Sequence, residues 1–542
     1  MKFRLIFCVA PQGRGQGTVD EKIEVGQTGR RPKTNEVMKR SGILWGLLFC
    51  AVAVQAQTNK TQTLTLEQAI QMAIEHNLNL KIQRYVPMLD QFELGAVYGS
   101  SYEPAFNAAA KDSYSANPGK IFNGISGPAQ NIDDQNYQFG IGGANGGYAL
   151  TPWGLQYSLT TTLDKSAYQT FDTNGLPRAP FTQDTTTASL NLQQPLLKNF
   201  WIDSARASIL VAKKTIQYDE FGFYLAVMTN ISSTEQAYYE LNYAFENVRV
   251  QEDAVLLAEQ LVAENKRKVQ AGVLTDLDVA QSQSQLASSR AALLAARQLI
   301  SQDENNLKAL VTDKYRDLYD VKLVPAEKLL ALPEMFDLEG SWQTALAKRP
   351  DLLQAKVAVE RLDVNRRFQK NQLFPELDLT GSYGRTGLSG SLGGSYGQIP
   401  ANTYPNYSYG AILSVPFGNQ AARNNYKAAK ASIEQAHAVY QLVEQNILIQ
   451  IQNTIEKAKS DFAQTKATRD ARDYADQALQ AEQKKLQVGT STSFIVLQLQ
   501  SNLTTARSAE IRALADYNED LAQLAQFEGT ILERHHLTVK IY

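Results

Sequence analysis

Hydrophobic residues follow two different periods along this chain. Residues 187–193, 376–383 and 407–415 alternate apolar side chains with small polar ones. A period of two predicts β-strands with one apolar face and one polar face. About ten residues of this alternation are typical of an outer-membrane strand, but a half-buried strand of a soluble sandwich has the same pattern. The alternation by itself leaves both kinds of sheet open.

The longer segments have a helical period. Residues 202–270 contain no proline and a single glycine, Gly222. At 1.5 Å per residue, this segment predicts a helix on the order of 100 Å long. Gly272 ends this helix, and a second one is predicted over 276–311. Along the second helix, apolar residues recur at every seventh position, as in a coiled coil: Val279, Leu286, Leu293, Ile300 and Leu307.

The second half of the chain repeats the first at a constant offset. Helices are again predicted over 419–488 and 492–528, and Gly489 between them lies 217 residues after Gly272. The same offset relates two pairs of arginines: Arg206 and Arg423, and Arg290 and Arg507. A single register over such a length indicates a duplication without insertions in the helical part.

The two halves differ in length where the strands are predicted. Pro104 and Pro195 are 91 residues apart, whereas the corresponding prolines of the second half are 41 apart. The extra residues, 116–185, contain the glycine-rich run 140–147, which reads as the turn of an additional hairpin. This hairpin either forms an extracellular extension or adds two strands to the sheet. The symmetry of the repeat favours the extension.

An export signal is predicted near the N-terminus. Basic residues at 39–40 precede the apolar run 43–54, and Val54-Gln55-Ala56 has the small residues of a cleavage site. We expect residues 38–56 to be removed as a signal peptide. Residues 1–37 read as an upstream extension, with translation starting at the methionine of position 38.

Both cysteines of the chain lie in this N-terminal region. Cys8 falls in the extension and Cys50 in the signal peptide, so the mature chain has no thiol and cannot form disulfides. The bulky Phe49 before Cys50 fits poorly with a lipoprotein cleavage site, so we do not expect lipidation.

Composition excludes several classes of protein. The 542 residues carry 53 basic and 55 acidic side chains, so no dominant basic face for nucleic acid is expected. A hydrophobic fraction of 44% is too high for a disordered chain. The longest charge-free apolar run, 42–57, is too short for a polytopic helical membrane protein.

No catalytic motif was found in the chain. Walker A, Gly-x-Ser-x-Gly and His-Glu-x-x-His motifs are missing, and the four histidines have no metal-ligand spacing. We therefore predict a protein that is not an enzyme and that binds no cofactor and no metal.

The strands, if they lie in a membrane, require several copies of the chain. An open sheet cannot cross a membrane, because the N–H and C=O groups of its edges would be unsatisfied in hydrocarbon. Four strands are too few to close a barrel, for which about eight is the usual minimum. The membrane interpretation therefore predicts an oligomer in which each copy contributes two hairpins.

The order of these features resembles the TolC family of outer-membrane efflux proteins. The resemblance covers roughly 64–529 and depends on a strand hairpin followed by a long helical hairpin, duplicated behind a signal peptide. The short motifs that carry it are Leu-Thr-Leu-Glu-Gln-Ala-Ile at 64–70, Gln-Gln-Pro-Leu at 193–196, Ser-Val-Pro-Phe-Gly at 414–418, and the two glycines. The resemblance implies a fold that is mostly α with β: a homotrimer with a twelve-stranded outer-membrane barrel continued by a periplasmic α-helical barrel.

The resemblance also implies a division of the chain into domains. The expected segments are an extension (1–37), a signal peptide (38–56), a first repeat (57–311), an equatorial linker (312–337), a second repeat (338–529) and a C-terminal tail (530–542). Within the repeats, strands are expected at 104–195 and 375–416, and helical hairpins at 202–311 and 419–528.

Family members are exit ducts of tripartite drug pumps and of type I secretion systems. The resemblance implies passive conduction of small molecules or proteins, with a periplasmic adaptor, an inner-membrane transporter and outer-membrane lipid as partners and no nucleic acid. It implies a location in the outer membrane of a diderm bacterium, with an extension into the periplasm. The alternative is a periplasmic or surface coiled-coil scaffold, or an adhesion protein, without a pore. The sequence names neither the substrate nor the pump.

Two groups of candidate residues follow the ends of the predicted helices and strands. Four prolines lie where strands meet helices and have a structural role there: Pro104, Pro195, Pro375 and Pro416. Two glycine-containing tips end the long helices, where glycine is favoured. The first tip is Gly272, Val273, Leu274 and Thr275, and the second tip is Gly489, Thr490 and Ser491. By resemblance these tips also contact the adaptor.

The periplasmic gate is expected beside the tips. Asp276 and Asp278 are acids at a helix N-terminus, favoured there by the helix dipole, and by resemblance Asp278 belongs to the network that holds the channel closed. Its basic partner in the family corresponds to Ser491 here, and the family's ring of aspartates corresponds to Ile495 and Gln498. We therefore expect closure to depend on apolar contacts through Phe494 and Ile495 rather than on a charged ring.

Overall fold

The computed structural model describes residues 60–118, 121–122, 125–126, 129–172 and 176–540. The predicted extension and signal peptide lie outside the described residues. In chain order the elements are β1 (Lys60–Leu64), α1 (Leu66–His76), α2 (Leu78–Tyr102), β2 (Ala105–Asn117), β3 (Ile121–Phe122), β4 (Ile125–Ser126), β5 (Gln130–Gly142), β6 (Ala149–Leu150), β7 (Gln156–Thr170), β8 (Phe181–Pro195), α3 (Ser204–Gln270), α4 (Asp276–Val311), α5 (Tyr315–Leu318), β9 (Val321–Pro325), α6 (Leu338–Lys348), α7 (Pro350–Asn371), β10 (Glu376–Ser389), α8 (Leu392–Ala401), β11 (Tyr404–Ser414), α9 (Gln420–Gln487), α10 (Ser493–Glu528) and α11 (Ile531–Arg534).

Four long helices contain most of the helical residues of the chain. α3 has 67 residues and α9 has 68, so each is about 100 Å long at 1.5 Å per residue. Each packs against the 36-residue helix that follows it, α4 or α10 respectively. α3 begins at a capped end, because the Asp203 carboxylate accepts a hydrogen bond from the Arg206 N–H at 2.7 Å.

A seven-residue repeat connects the helices within each hairpin. In α4 the residues of the predicted seam are half-buried, except for Leu307, which is fully buried. A second set of residues with the same seven-residue spacing is buried more deeply: Ser282, Ser289, Ala296 and Asp303. In α10 the buried row lies 217 residues after the α4 seam: Val496, Leu503, Glu510, Tyr517 and Leu524. Small side chains in the second row of α4 allow the helices to approach closely.

The sheet is antiparallel and contains more long strands than the sequence predicted. Its order is β11-β10-β8-β7-β5-β2, with the short β6 paired to β7. Strands β2, β8, β10 and β11 join helices at one end, which we call the helical end of the sheet. The opposite end is called the distal end.

The additional hairpin predicted within 116–185 belongs to this sheet. Its strands β5 and β7 pair with each other over twelve residue pairs, and each also pairs with a flanking strand, β2 or β8, over thirteen. The expectation of four strands per chain was therefore wrong, and so was the use of repeat symmetry to keep this hairpin apart from the sheet. Sequence symmetry cannot reveal pairing that depends on the register between strands.

Shorter elements surround the middle of the helices and contain much of the buried apolar core. β1 pairs with β9 in parallel, and Leu64 and Leu323 from these strands pack with Tyr238 and Leu241 of α3. The Tyr238 hydroxyl donates a hydrogen bond to the Leu64 carbonyl at 3.2 Å. No helix among the described residues is both long enough and apolar enough to cross a membrane.

A half-buried cluster of charges connects α3 with α10. The Arg512 guanidinium donates to the Glu240 carboxylate at 2.7 Å and also bonds Asp516. Glu519, one turn further along α10, has a carboxylate oxygen 3.7 Å from Arg512 and without a hydrogen-bond partner among the described residues. Burial, and then the negative charge of Glu240, raise the pKa of Glu519 to about 8.

This raised pKa predicts a pH-dependent stability. Folded protein keeps the Glu519 proton up to about pH 8, whereas the unfolded chain loses it near pH 4.5, so stability should fall as pH rises between these values. Glu519→Gln removes the titrating group. We expect it to raise stability by roughly 1–3 kcal/mol at pH 8.5 and by much less at pH 5. Thermal unfolding of the detergent-solubilised protein at both pH values measures this difference.

The matched control for that prediction lies one turn away. Asp516→Asn removes a carboxylate that is hydrogen-bonded to Arg512 and should lower stability at both pH values. An equal gain from Glu519→Gln at pH 5 and pH 8.5 would contradict the raised pKa of Glu519.

Candidate functional site

The two tips end their helices with the same backbone geometry. Gly272 has φ +75° and Gly489 has φ +78°, a left-handed conformation that side chains with a Cβ rarely adopt. In the first tip, the Gly272 N–H donates to the Val269 carbonyl (2.9 Å) and the Val273 N–H to the Lys268 carbonyl (2.8 Å). The corresponding pair in the second tip is Gly489 to Leu486 (3.3 Å) and Thr490 to Lys485 (2.9 Å). A Cβ at either glycine would meet no atom within 4 Å, so backbone conformation alone favours glycine.

The polar side chains of the first tip bond within that tip. The Asp278 carboxylate accepts from the Thr275 N–H at 3.0 Å and from the Thr275 hydroxyl at 2.7 Å. The hydroxyl bond, followed by the N–H bond, lowers the pKa of Asp278 and keeps it ionised. Asp276 is exposed in the first turn of the same helix, where the dipole favours an acid.

The second tip is held by a different bond. The Ser491 hydroxyl donates to the Glu482 carboxylate on α9, and this bond, followed by that from Lys485, lowers the pKa of Glu482. Within one chain, Ser491 and Asp278 therefore each have a partner in their own tip. The structure does not bring them together as a pair.

The predicted gate residues of α10 are all exposed and lie on one side of its first two turns. Phe494 is 59% exposed and Ile495 is 42% exposed, although the next residue, Val496, is fully buried. The exposed Gln498 donates to Asn502 one turn further on, at 3.1 Å. The first turn of α10 therefore presents an apolar surface at the tip.

Exposed apolar side chains occur on both tips and beside them. Leu274 is half-buried, whereas Thr275, Thr490 and the two glycines are exposed. The most exposed apolar side chains are Val273, Leu277, Val488 and Phe494, at 59–73%. Exposed apolar patches of this kind are typical of surfaces that contact another chain.

Sequence reasoning missed a buried polar link just behind the tips. The Ser493 hydroxyl donates to the Asn265 side-chain oxygen at 2.9 Å, and both residues are fully buried. This bond joins α3 to α10, next to an apolar cluster that includes Leu261 and Leu497. The available signal was an asparagine four residues after Leu261 in a helical segment, because a single buried asparagine commonly sets the register of packed helices.

The four prolines lie at the helical end of the sheet. Pro104 directly precedes β2 and Pro375 directly precedes β10. Pro195 is the last residue of β8, and Pro416 follows β11 by two residues. Pro375 also accepts a backbone hydrogen bond from Lys198 at 3.3 Å, which joins the segments that follow β8 and precede β10.

Exposed aromatic residues also lie at the helical end of the sheet. Trp153 lies in the connection before β7, Trp201 follows β8, Phe374 precedes β10 and Phe417 follows β11. Their exposed fractions range from 46% at Phe374 to full exposure at Phe417. Aromatic rings at such a boundary are typical of the interface between membrane and water. Among the described residues, no group of three His, Cys, Asp or Glu could hold a metal ion.

A family model described as outer membrane efflux protein matches residues 154–312 and 342–530, more than half of the chain. The chain belongs to this family. The matched part includes the four long helices and the strands β7, β8, β10 and β11, but not β2 and β5. As a member of the outer membrane efflux proteins, the chain is located in the outer membrane.

Characterised relatives are distant in sequence. The toluene efflux pump outer membrane protein TtgC of Pseudomonas putida is 22% identical over 285 residues, which cover 52% of this chain and 56% of TtgC. The outer membrane efflux protein BepC of Brucella suis is 24% identical over 339 residues, 61% of this chain and 69% of BepC. The chain thus matches little more than half the length of TtgC.

Solved structures share the fold of this outer membrane efflux protein. The Campylobacter jejuni CmeC outer membrane channel aligns with a TM-score of 0.61 and 18% identity, covering 86% of each chain. VceC from Vibrio cholerae aligns with a TM-score of 0.60 and 18% identity, covering 86% of this chain and 96% of VceC. The mostly helical architecture is therefore that of TolC-like channels.

Proposed function

We propose that three copies of this chain form a passive exit duct through the outer membrane, which continues as a helical tunnel into the periplasm. The observation that carries the proposal is an open antiparallel sheet with a continuous exposed apolar face, joined to helices about 100 Å long. The sheet would lie in the membrane and the helices would span the periplasm.

The sheet edges support the trimer. β2 and β11 are the two ends of the sheet, and every residue of β11 is exposed. Their unpaired N–H and C=O groups could not be left open in hydrocarbon, so each edge would pair with another copy. The helical walls would close in the same way, around a central space.

The domain division is proposed as the sequence predicts it. The first repeat is assigned to 57–311, the equatorial linker to 312–337, the second repeat to 338–529 and the tail to 530–542. The matching backbone bonds at Gly272 and Gly489, 217 residues apart, support an origin by duplication.

The names of the relatives suggest the partners. TtgC is named as part of a toluene efflux pump and BepC as an efflux protein. By analogy, an inner-membrane transporter supplies the energy, a periplasmic adaptor contacts the tips, and this chain performs no catalytic step. The exposed Val273 and Val488 offer the adaptor an apolar contact.

The gate is proposed at the same tips. Three copies would bring Phe494 and Ile495 together around the axis, with Asp276, Asp278 and Gln498 beside them. Asp278 and Ser491 already have bonding partners in their own tips, which supports closure by apolar contact rather than by a charged ring.

The oligomeric state tests the proposal. Detergent-solubilised protein from outer membranes should have three times the mass of one chain by multi-angle light scattering, because a single sheet cannot close. A folded monomer in detergent would contradict the duct. Extraction by urea without detergent would favour the alternative, a coiled-coil scaffold without a pore.

A further inference from the structure

We infer that β5 and β7 are strands of the membrane wall, so that the proposed trimer has eighteen wall strands and a wider outlet than a twelve-stranded barrel. This inference rests on the proposed trimer. It specifies which strand edges pair between copies and how wide the outlet is. Three chains with six long strands each make eighteen.

The register runs without interruption from the flanking strands through the two additional ones. Phe106 on β2 pairs with Ile141 on β5, and Ile141 pairs with Leu159 on β7. Leu159 pairs with Leu190 on β8. The same row then continues through Tyr383 on β10 to Tyr407 on β11. Residues directly opposite in an antiparallel sheet share a face, so this row is one apolar belt across all six strands.

The belt is exposed along its whole width. The exposed fraction of its side chains ranges from 38% at Leu190 to 75% at Tyr407, and Ile141 and Leu159 lie within that range. Three apolar side chains per strand continue the belt on β5 and β7: Tyr137, Phe139 and Ile141 on β5, and Tyr157, Leu159 and Leu163 on β7. An extension outside the membrane would not need a continuous, exposed apolar face.

The opposite face carries polar side chains that bond from strand to strand. Asn136 on β5 donates to Asp164 on β7, and Thr160 on β7 bonds Ser189 on β8 at 2.9 Å. The pattern continues from β8 to β10 and from β10 to β11: Gln193 with Asp378 at 2.7 Å, and Ser382 with Ser408 at 2.7 Å. A polar inner face and an apolar outer face are the arrangement of strands that separate a water-filled pore from lipid.

The connection between β5 and β7 lies at the helical end of the sheet. Gly142, the last residue of β5, pairs with Ala105, the first residue of β2. In the connection, a Cβ on Gly154, whose φ is +92°, would lie 2.9 Å from the Arg206 guanidinium at the start of α3. The exposed Trp153 is one of the aromatic residues at the helical end of the sheet described above. The hairpin therefore spans the full height of the sheet rather than rising from its distal end.

The second copy fits the edges of this six-stranded sheet. β2 runs away from the helical end and β11 runs towards it, so β11 of one copy beside β2 of the next keeps the sheet antiparallel. With strands 4.8 Å apart and tilted by about 40°, eighteen strands enclose a backbone diameter of about 36 Å, against about 24 Å for twelve.

Cysteine labelling tests the inference, because residues 57–542 contain no cysteine. Leu159→Cys and Thr160→Cys probe the two faces of β7, and Leu190→Cys and Ser189→Cys are the paired positions on β8. In outer-membrane vesicles, a charged, membrane-impermeant thiol reagent should label Thr160→Cys and Ser189→Cys. It should leave Leu159→Cys and Leu190→Cys at least tenfold less labelled.

The outcomes separate this inference from the proposed duct. Labelling of Leu159→Cys together with protection of Leu190→Cys would overturn the inference and leave the duct in place. Labelling of both leucine positions would overturn the duct itself. Electron-microscopic projections down the trimer axis are an independent measurement, and a wall about 24 Å across would also overturn the inference.

Discussion

Phe494→Ala and Ile495→Ala should each raise the single-channel conductance of the assembled protein in planar bilayers several-fold, whereas Asp278→Ala should change it little. In the proposed trimer, the exposed side chains of Phe494 and Ile495 from three copies occlude the periplasmic opening. Each substitution removes three of these side chains from the constriction at once. Because Val496 and Leu497 hold the start of α10 in a buried apolar cluster with Leu261 of α3, the opening should widen without unfolding the tip.

The small effect expected for Asp278→Ala follows from the bonds of this side chain. Asp278 accepts two hydrogen bonds from Thr275 and holds the N-terminus of α4. Its loss should cost about 1 kcal/mol of local helix stability. A bond between Asp278 and Ser491 of a neighbouring copy would have to replace bonds that both residues already make.

Phe92→Ala is the matched control for the gate. Phe92 is 68% exposed on α2, which packs along the first part of α3, far along the helix from the tips. Phe92→Ala also removes a phenyl ring, but at a site away from the tips, and should leave the conductance unchanged. Should Asp278→Ala raise conductance more than Phe494→Ala, the gate would be electrostatic and the apolar interpretation would be wrong.

Arg349→Met should destabilise the protein by roughly 3 kcal/mol, because it removes a buried charge with several partners. Arg349 lies between α6 and α7 with 9% of its side chain exposed and bonds the Asp351 carboxylate with two nitrogens, at 3.0 and 2.6 Å. It also donates to Gln450 on α9 at 3.0 Å and to the Phe527 carbonyl on α10 at 3.3 Å. One side chain thus joins α6 and α7 to the second helical hairpin.

Thermal unfolding of the solubilised protein, followed by far-ultraviolet circular dichroism, measures this loss. Arg366→Met is the control, because Arg366 bonds Asp363 at a more exposed position and should cost about 1 kcal/mol or less. The double variant Arg349→Met, Asp351→Asn should recover part of the loss, since it leaves no unpaired carboxylate. If Arg349→Met unfolds at the same temperature as the unaltered protein, the junction does not depend on this residue.

Much of the helical part follows from local features of the sequence. The helix predicted over 202–270 is observed at Ser204–Gln270, and the one predicted over 276–311 at Asp276–Val311. Helical period and the absence of proline act within a few residues, and the left-handed turn at Gly272 needs only its own backbone. Such features can be read from sequence because neighbours along the chain determine them.

The membership of the chain in its family could also be inferred from sequence. The order of strand hairpin, helical hairpin and glycine tip, with its fixed offset, predicted the outer membrane efflux proteins, and the family model confirms this. The signal peptide, the domain limits and the roles of the gate residues stay predictions, and the trimer stays a proposal.

Contacts between distant residues were decided only by the tertiary structure. The alternation of Leu159 and Thr160 predicted a strand, but not that Thr160 would meet Ser189 and extend one sheet to six long strands. The bonds of Ser493 to Asn265 and of Arg349 to Gln450 likewise join segments far apart in sequence. The sequence alone therefore determined the helices, the tips and the family, because these depend on local periodicity and on the order of elements. The number of strands in the sheet and the partners of its polar side chains depend on register and packing across the chain, which no local pattern encodes.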